Sequence, residues 1–364
     1  MGEPIENTCF RLPAVVLFGV AIGVFSFVAA VNPLGVLGLP LSIGAGALLT
    51  LLALSRSSSQ SALAFVLVLP AFVLALTILR SPALALAALF PAVLAYPIYI
   101  TVRAGQGRTV TITAAALAAT AFWLLYFGLS IYIEYGSLNA ATIQQTLDDA
   151  FAPIRTTLSE LTYEQNGETY PYYPENTIDT MIYQVKTLLL GSLAAIMVVI
   201  AYVTTLTVRI VANIFDVSAL LPKGTRIHMR AVITPDGPTV EITKEKVQWY
   251  IQLDNVTAFV FIAAYFVSVL LSDAEGSMLP AAATADNLIV ILLPGFVYVG
   301  VREIVLGFRD GTSTARIGCS VILLSVVLMF VNPMSVFLLL AVVGVASTIR
   351  ENKRRQAANK QRKE

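Results

Sequence analysis

Cysteine is almost missing from this 364-residue chain: Cys9 precedes the first apolar run and Cys319 lies inside a late one. Two thiols so placed suggest neither a disulfide framework nor a thiolate metal site. Histidine is scarcer still. His228 stands alone, which rules out any centre built on two or more imidazoles, and a lone histidine is read as structural. Charge is the third deficit: Asp, Glu, Lys and Arg make up 12% of the residues, against about 25% in ordinary soluble domains. A water-soluble fold with so little charge would lack the polar atoms to cover its surface. Net charge is +1, so the chain as a whole is not biased towards nucleic acid or acidic substrates. Gly-rich phosphate loops, H-E-x-x-H, nucleophile elbows and CxxC pairs are all missing. No catalytic residue, metal or cofactor is therefore expected. The chain reads as non-enzymatic, and any ATP-driven activity would need separate subunits.

What the chain does have is long apolar runs, with 57% hydrophobic residues and a mean hydropathy of +0.80. Runs of roughly 18 or more residues with few charges read as membrane spans. Ten candidates follow one another: Leu12–Val31, Pro33–Leu54, Ser61–Leu79, Pro82–Val102, Val110–Tyr132, Met181–Val211, Asn255–Ser272, Asn287–Gly307, Ile317–Val331 and Met334–Ile349. A count of eight follows if the last two, which are short, form one re-entrant pair. Pro70, Pro91 and Pro294 are expected to kink their helices without ending them. For the first run a secretory signal is the rival reading, because Val28-Ala29-Ala30 resembles a cleavage site. Against it, the run is long and its flank carries Glu3 and Glu6 with only Arg11. The expected fold is an all-α polytopic membrane protein of about ten transmembrane helices, with an outer amphipathic helix and a small cytoplasmic β-hairpin.

Charge placement orients the bundle. With both termini cytoplasmic, 20 of the 23 Lys and Arg fall on the inside, all but Arg80, Arg155 and Lys186. Basic residues near span ends are retained in the cytoplasm, so this split favours an even number of spans and that orientation. The chain then divides into N-terminal membrane helices (1–132), an extracytoplasmic acidic segment (133–180) and a membrane helix (181–215). A cytoplasmic segment (216–250), C-terminal membrane helices (251–349) and a basic tail (350–364) follow. The tail is read chiefly as a topology and surface-anchoring element beside the lipid bilayer. It has no aromatic residue to stack on bases, so no nucleic-acid partner is expected.

Two polar segments carry further patterns. In 133–180, Ile143, Leu147, Phe151, Ile154, Leu158 and Leu161 recur at helical spacing, an amphipathic helix kinked or restarted at Pro153 and capping the bundle. The Tyr-rich stretch Tyr163–Asn176 reads as interfacial aromatic belt, or more sharply as a lid over a ligand. In 216–250, alternation about Ile227, Met229 and Ala231 followed by Pro-Asp-Gly-Pro predicts a β-hairpin at 225–243. Two strands alone are marginal, so the hairpin is expected to dock on the bundle or on a protein partner. Trp249 and Tyr250 would mark re-entry into the membrane. Gly19-x-x-x-Gly23 permits a close helix contact.

Ionisable and polar residues inside spans are the natural candidates for function. Lys186 lies near the outer end of the sixth span, with Glu175 and Asp179 near enough in sequence to neutralise it. In the eighth span Asn287, Ile291, Pro294, Tyr298 and Arg302 share one helical face. Arg302 and the adjacent Glu303 read as a snorkelling pair. Lys186, Asn287 and Tyr298 are the candidate ligand-binding residues, in an outward-facing pocket beneath the Tyr-rich segment.

The run ADNLIVILLPGFVYVGVREIVLGFRDG (Ala285–Gly311), two further apolar runs and the basic IRENKRRQ (Ile349–Gln356) resemble the YybS-like family of bacterial membrane proteins. The acidic outer segment leading into QVKTLLLGSLAAIMVVIAYVTTLTVRI (Gln184–Ile210) is also similar. The resemblance covers roughly residues 138–356. It implies a bacterial plasma-membrane location and remote similarity to the substrate-binding S components of energy-coupling-factor transporters and to the cell-shape protein MreD. It implies no settled biochemical role, and those relatives have about six spans. Two functions follow as expectations: a transporter subunit that recognises a small solute, or an MreD-like scaffold organising envelope or division partners.

Overall fold

The computed structural model describes residues 12–33, 35–56, 58–165, 168–221, 223–234, 237–248, 251–272, 278–309 and 313–361. Cys9, Arg11, Trp249, Tyr250 and the Pro235-Asp236 turn lie outside them, as do the side chains of the hairpin, His228 included. Among the described residues, six helices are long and apolar enough to cross a membrane: Gln60–Leu79, Pro82–Arg103, Arg108–Tyr135, Glu175–Ile214, Leu279–Phe308 and Met334–Ala357. Four shorter apolar helices, Val15–Val31, Gly38–Leu54, Asn255–Leu270 and Cys319–Met329, lie among them. This is an all-α, membrane-embedded architecture.

The first half contains α1 (Leu12–Val31), α2 (Gly38–Leu54), α3 (Ser58–Val66), α4 (Leu69–Leu79), α5 (Pro82–Ala87), α6 (Phe90–Arg103) and α7 (Arg108–Tyr135). Pro70 and Pro91 do more than kink their runs. Each sits in the first turn of a new helix, α4 and α6, just after a break. A proline has no N–H to donate and its ring clashes with the carbonyl four residues back, so the first turn is where it fits best. Pro97, Pro153 and Pro294, in contrast, remain inside continuous helices.

The second half begins with α8 (Ala140–Glu160), β1 (Thr162–Gln165), β2 (Glu168–Pro171) and α9 (Glu175–Ile214). At 40 residues, α9 is about 60 Å long, twice the hydrocarbon core. Its N-terminal turns therefore project beyond any membrane and give α8 something to pack on. After it come β3 (Lys223–Thr234), β4 (Gly237–Gln248), α10 (Asn255–Leu270), α11 (Leu279–Arg309), α12 (Ser313–Val331) and α13 (Pro333–Gln361). The ladder β3–β4 pairs Arg226 with Glu245 and Arg230 with Glu241 in register. The Tyr-rich stretch forms the second, shorter hairpin, with Tyr163 opposite Tyr170.

Contacts between chain-distant residues show that the apolar helices alternate in direction. Phe18 of α1 meets Phe215, just past α9, with ring centroids 5.0 Å apart. Arg103 at the end of α6 donates to the Arg56 carbonyl (3.2 Å). Thr109 at the start of α7 bonds both backbone groups of Gln252 (2.6 and 2.7 Å). At the opposite end Tyr135 donates to Asp149 (3.0 Å) and Ser268 to Asp286 (2.5 Å). One end thus collects Arg56, Arg103, Arg108, Arg302 and the basic last turns of α13. The other collects Asp148, Asp149, Glu175 and Asp179.

The packing is built on small residues. Ala47, Ile98, Ala115, Ala201 and Val208 join α2, α6, α7 and α9, while Ala258, Phe261, Phe296 and Ala341 join α10, α11 and α13. Small side chains let helix backbones approach, which matters where lipid supplies no hydrophobic drive between helices. The tightest approach is between the parallel helices α11 and α13. A Cβ on Gly300 would fall on the Leu340 carbonyl oxygen, and one on Gly344 on that of Phe296. The Gly19-x-x-x-Gly23 pair is not used this way: a Cβ on Gly19 would touch only the Leu67 side chain at 3.7 Å, and one on Gly23 nothing within 4 Å.

Candidate ligand crevice

Lys186 pairs with Asp148 of α8 and lies 5.7 Å from the centroid of the Phe151 ring. Glu175 and Asp179, expected to neutralise it, instead receive Arg155 (3.7 and 2.6 Å). These ion pairs tie α8, which buries no residue fully, to the projecting start of α9. The hydrogen bond from Lys186 holds the Asp148 carboxyl below its ordinary value of 3.8. Pro153 leaves α8 unbroken, and an Asn139–Thr142 capping box starts it.

Asn287 is fully engaged in joining helices. Its Oδ1 accepts the Gly191 N–H (2.6 Å) and its Nδ2 donates to the carbonyls of Thr187 (2.8 Å) and Ala283 (2.7 Å). A Cβ on Gly191 would land on that Oδ1, so a glycine in α9 is what admits the amide. Lys186 and Asn287 thus stand at two separate joints near the acidic end. Tyr298 is elsewhere, about 16 Å further along α11 than Asn287, where its ring packs against Tyr202 of α9 (centroids 5.1 Å apart).

The Tyr202–Tyr298 pair is part of the wall of a crevice of about 740 Å³, whose other walls come from α7, α9, α11, the Ile251–Thr257 segment and the start of α13. This volume lies within the range of about 300–1,000 Å³ usual for ligand sites. Both α7 and α11 pack on α9, which forms the floor. Leu117 (66% exposed) and Val199 (46% exposed) line the crevice at its open side, so it opens laterally, towards what would be lipid. Three of its four lining threonines spend their hydroxyls on hydrogen bonds within the protein. Thr120 donates to the Ala116 carbonyl (2.8 Å), Thr257 to Asp254 (2.6 Å) and Thr109 to Gln252. The interior therefore presents methyl and methylene groups almost throughout.

The basic end of the crevice is firmly held. Arg302 donates to the Ile251 carbonyl (2.8 Å) and pairs with Glu351 (3.0 Å), which also takes Arg355 (3.0 Å). Asn352 donates to the Leu253 carbonyl (3.1 Å), and Glu303 pairs with Arg350. The adjacent Arg302 and Glu303 are therefore not a snorkelling pair, because each crosses to α13. Asp254 caps α10 through the Thr257 hydroxyl and N–H, which hold its carboxyl below 3.8. Arg108, 3% exposed, has its guanidinium 5.2 Å from the Tyr202 ring centroid.

Sequence reasoning reached Tyr298 through its helical face but missed Tyr202, Arg108 and the crevice. No single-chain periodicity links α7, α9 and α11, so only the interhelical packing reveals them. No group of three or more His, Cys, Asp or Glu that could hold a metal occurs among the described residues. Comparison with protein-family models, curated proteins and solved structures finds no significant match. The fold and site define the class directly: a helical membrane-embedded protein with a laterally open apolar crevice.

Proposed function

We propose that this chain is a non-enzymatic, multi-pass protein of a bacterial plasma membrane that recognises a small, largely apolar molecule in the crevice between α7, α9 and α11. The observation that carries this reading is a cavity of about 740 Å³ lined almost wholly by apolar groups, three of whose four threonine hydroxyls are bonded within the protein. A wall of that kind favours hydrocarbon over a polar solute, because hydroxyls or charges placed there would lose water without finding partners. The bundle has ten spans and both termini on the cytoplasmic side, supported by the alternating helix directions and the basic end. In a transporter like those with S components, the chain would be the recognition subunit and energy would come from others. The experiment is native mass spectrometry of the full-length protein from mild detergent. A retained adduct is expected, and Ala194→Phe, which fills the crevice floor, should release it. An adduct-free wild type, or an adduct indifferent to Ala194→Phe, would refute the reading.

A second reading is favoured by the hairpin. Its β3–β4 ladder runs for twelve register pairs with no third strand among the described residues, and two strands alone are marginal. A protein partner at 225–243 would cover it, giving the chain an MreD-like scaffold role. Deleting 225–243 should then remove a co-purifying protein, and an unchanged set of partners would exclude it.

A further inference from the structure

We infer that the hairpin β1–β2 is a docking face for a lysine- or arginine-rich extended segment of an extracytoplasmic protein, received by the rings of Tyr163 and Tyr172 and the carboxylates beside them. The inference is independent of the crevice and takes from the proposed function only the orientation, with the acidic end outside.

The first observation is where the hairpin stands. Asp148 of α8 pairs with Lys186 of α9, and Arg155, two turns further along α8, pairs with Asp179, two turns back along α9. Equal steps in opposite directions mean that the two helices run antiparallel, side by side. The uncharged stretch of α9, residues 187–208, is about 33 Å long, enough for the hydrocarbon core. It starts only after Lys186. Because α9 begins at Glu175, the two helices carry the hairpin about 16 Å beyond that lysine. Its tyrosines therefore stand clear of the level at which an aromatic belt forms.

The second is the face itself. Tyr163 lies opposite Tyr170, and the Tyr172 N–H donates to the Leu161 carbonyl (2.8 Å), continuing the ladder. Residues two apart in a strand share a side, so Leu161, Tyr163, Tyr170 and Tyr172 form one face. Tyr163 stacks on Tyr170 (centroids 5.8 Å apart) and meets Tyr172 edge-on (6.2 Å). Yet Tyr163 remains 44% and Tyr172 61% exposed. The rings hold one another in place and stay open to solvent.

The third is charge. Residues 133–180 carry eight carboxylates and one cation, Arg155. Arg155 is engaged by Glu175 and Asp179, and Lys186 by Asp148. Glu160 and Glu164, both exposed and next in sequence to Leu161 and Tyr163, form no ion pair among the described residues. The π-face of a tyrosine attracts a cation, and unpaired carboxylates steer one towards it. A glycan would stack on such rings but leave the carboxylates unpaired, and a second copy of this chain would set like charge against like.

The test uses the full-length protein in phosphatidylcholine nanodiscs, which expose both of its ends, so the result does not depend on which side is outside. The probe is a fluorescent peptide alternating lysine with serine, with its glutamate counterpart and a tetrasaccharide of N-acetylglucosamine as controls. The lysine peptide should bind saturably and more weakly as salt rises, and the glutamate peptide should not bind. Tyr163→Leu with Tyr172→Leu keeps apolar bulk, removes both π-faces and should weaken binding about tenfold. Glu160→Gln with Glu164→Gln should weaken it about fivefold and flatten the salt dependence. Tyr172→Leu alone, at the more exposed ring, should cost about threefold and serves as the reading if the double variant loosens the hairpin. No saturable binding of the lysine peptide, binding untouched by the tyrosine variants, or preferential binding of the tetrasaccharide overturns the assignment. None of these results bears on the crevice ligand.

Discussion

The crossing of α11 and α13 is the place where one methyl group should do the most damage. Gly344 lies so close to α11 that a Cβ would fall on the Phe296 carbonyl oxygen, and Gly300 faces Leu340 in the same way. These are backbone atoms, which cannot swing aside as a side chain would, so Gly344→Ala must push the helices apart. Overpacking of this kind costs about 1–3 kcal/mol. The substitution also gains up to about 1 kcal/mol, because alanine is the better helix former. A net loss of about 1–2 kcal/mol is expected, towards the upper figure because the same movement stretches the Arg302–Glu351 and Glu303–Arg350 pairs further along α13. The matched control is Gly23→Ala in α1, where nothing lies within 4 Å of the added atom. It should be neutral or stabilising by up to about 1 kcal/mol. Reversible unfolding in mixed detergent micelles measures both variants against wild type. The double variant Gly300→Ala/Gly344→Ala should lose less than the sum of its parts, because helices already separated accept the second methyl more easily. If Gly344→Ala proves as stable as Gly23→Ala, the two helices do not meet as described.

Asn287→Ala should destabilise the protein by about 1–3 kcal/mol, from three lost amide hydrogen bonds, yet leave retention of the crevice ligand unchanged. A variant that keeps its stability but loses the ligand would return Asn287 to the binding site. For the α8 cap, the Asp148 pKa is lowered in the folded state, so the contribution of its pair with Lys186 is fully present above the ordinary carboxylate value. It is lost as pH falls through the depressed one. Hydrogen exchange of α8 should therefore quicken in acid, below about pH 4, and Asp148→Asn should remove that step. In a background lacking Cys9 and Cys319, an impermeant thiol reagent applied to intact cells should label Ser159→Cys on α8 and spare Gln106→Cys. The reverse pattern would invert the proposed orientation.

The helical pattern was legible where it depended on near neighbours in the chain. The runs around α1, α7, α10 and α11 could be read from hydropathy, and the stripe Ile143–Leu158 from its spacing, because each signal lies within one helix. Pro70 and Pro91 were harder to read. Whether a proline kinks a helix or starts a new one depends on whether neighbouring helices can satisfy the backbone groups it frees. The partner of Lys186 was not legible either. Glu175 and Asp179 are nearer in sequence, but α8 folds back and brings Asp148 to it while Arg155 takes the other two.

Composition and the order of apolar runs were enough to establish a helical, membrane-embedded chain. Those properties follow from the cost of placing charge and unpaired backbone in hydrocarbon, which each segment meets by itself. Tertiary structure alone decided that Gly300 and Gly344 are the contact glycines, that Asn287 is a joint, and that Tyr298 meets Tyr202 beside an open crevice. Each of these depends on which helix faces which, and in a membrane that is set by close packing between surfaces of nearly equal hydrophobicity. A single strand of sequence carries almost no trace of that choice.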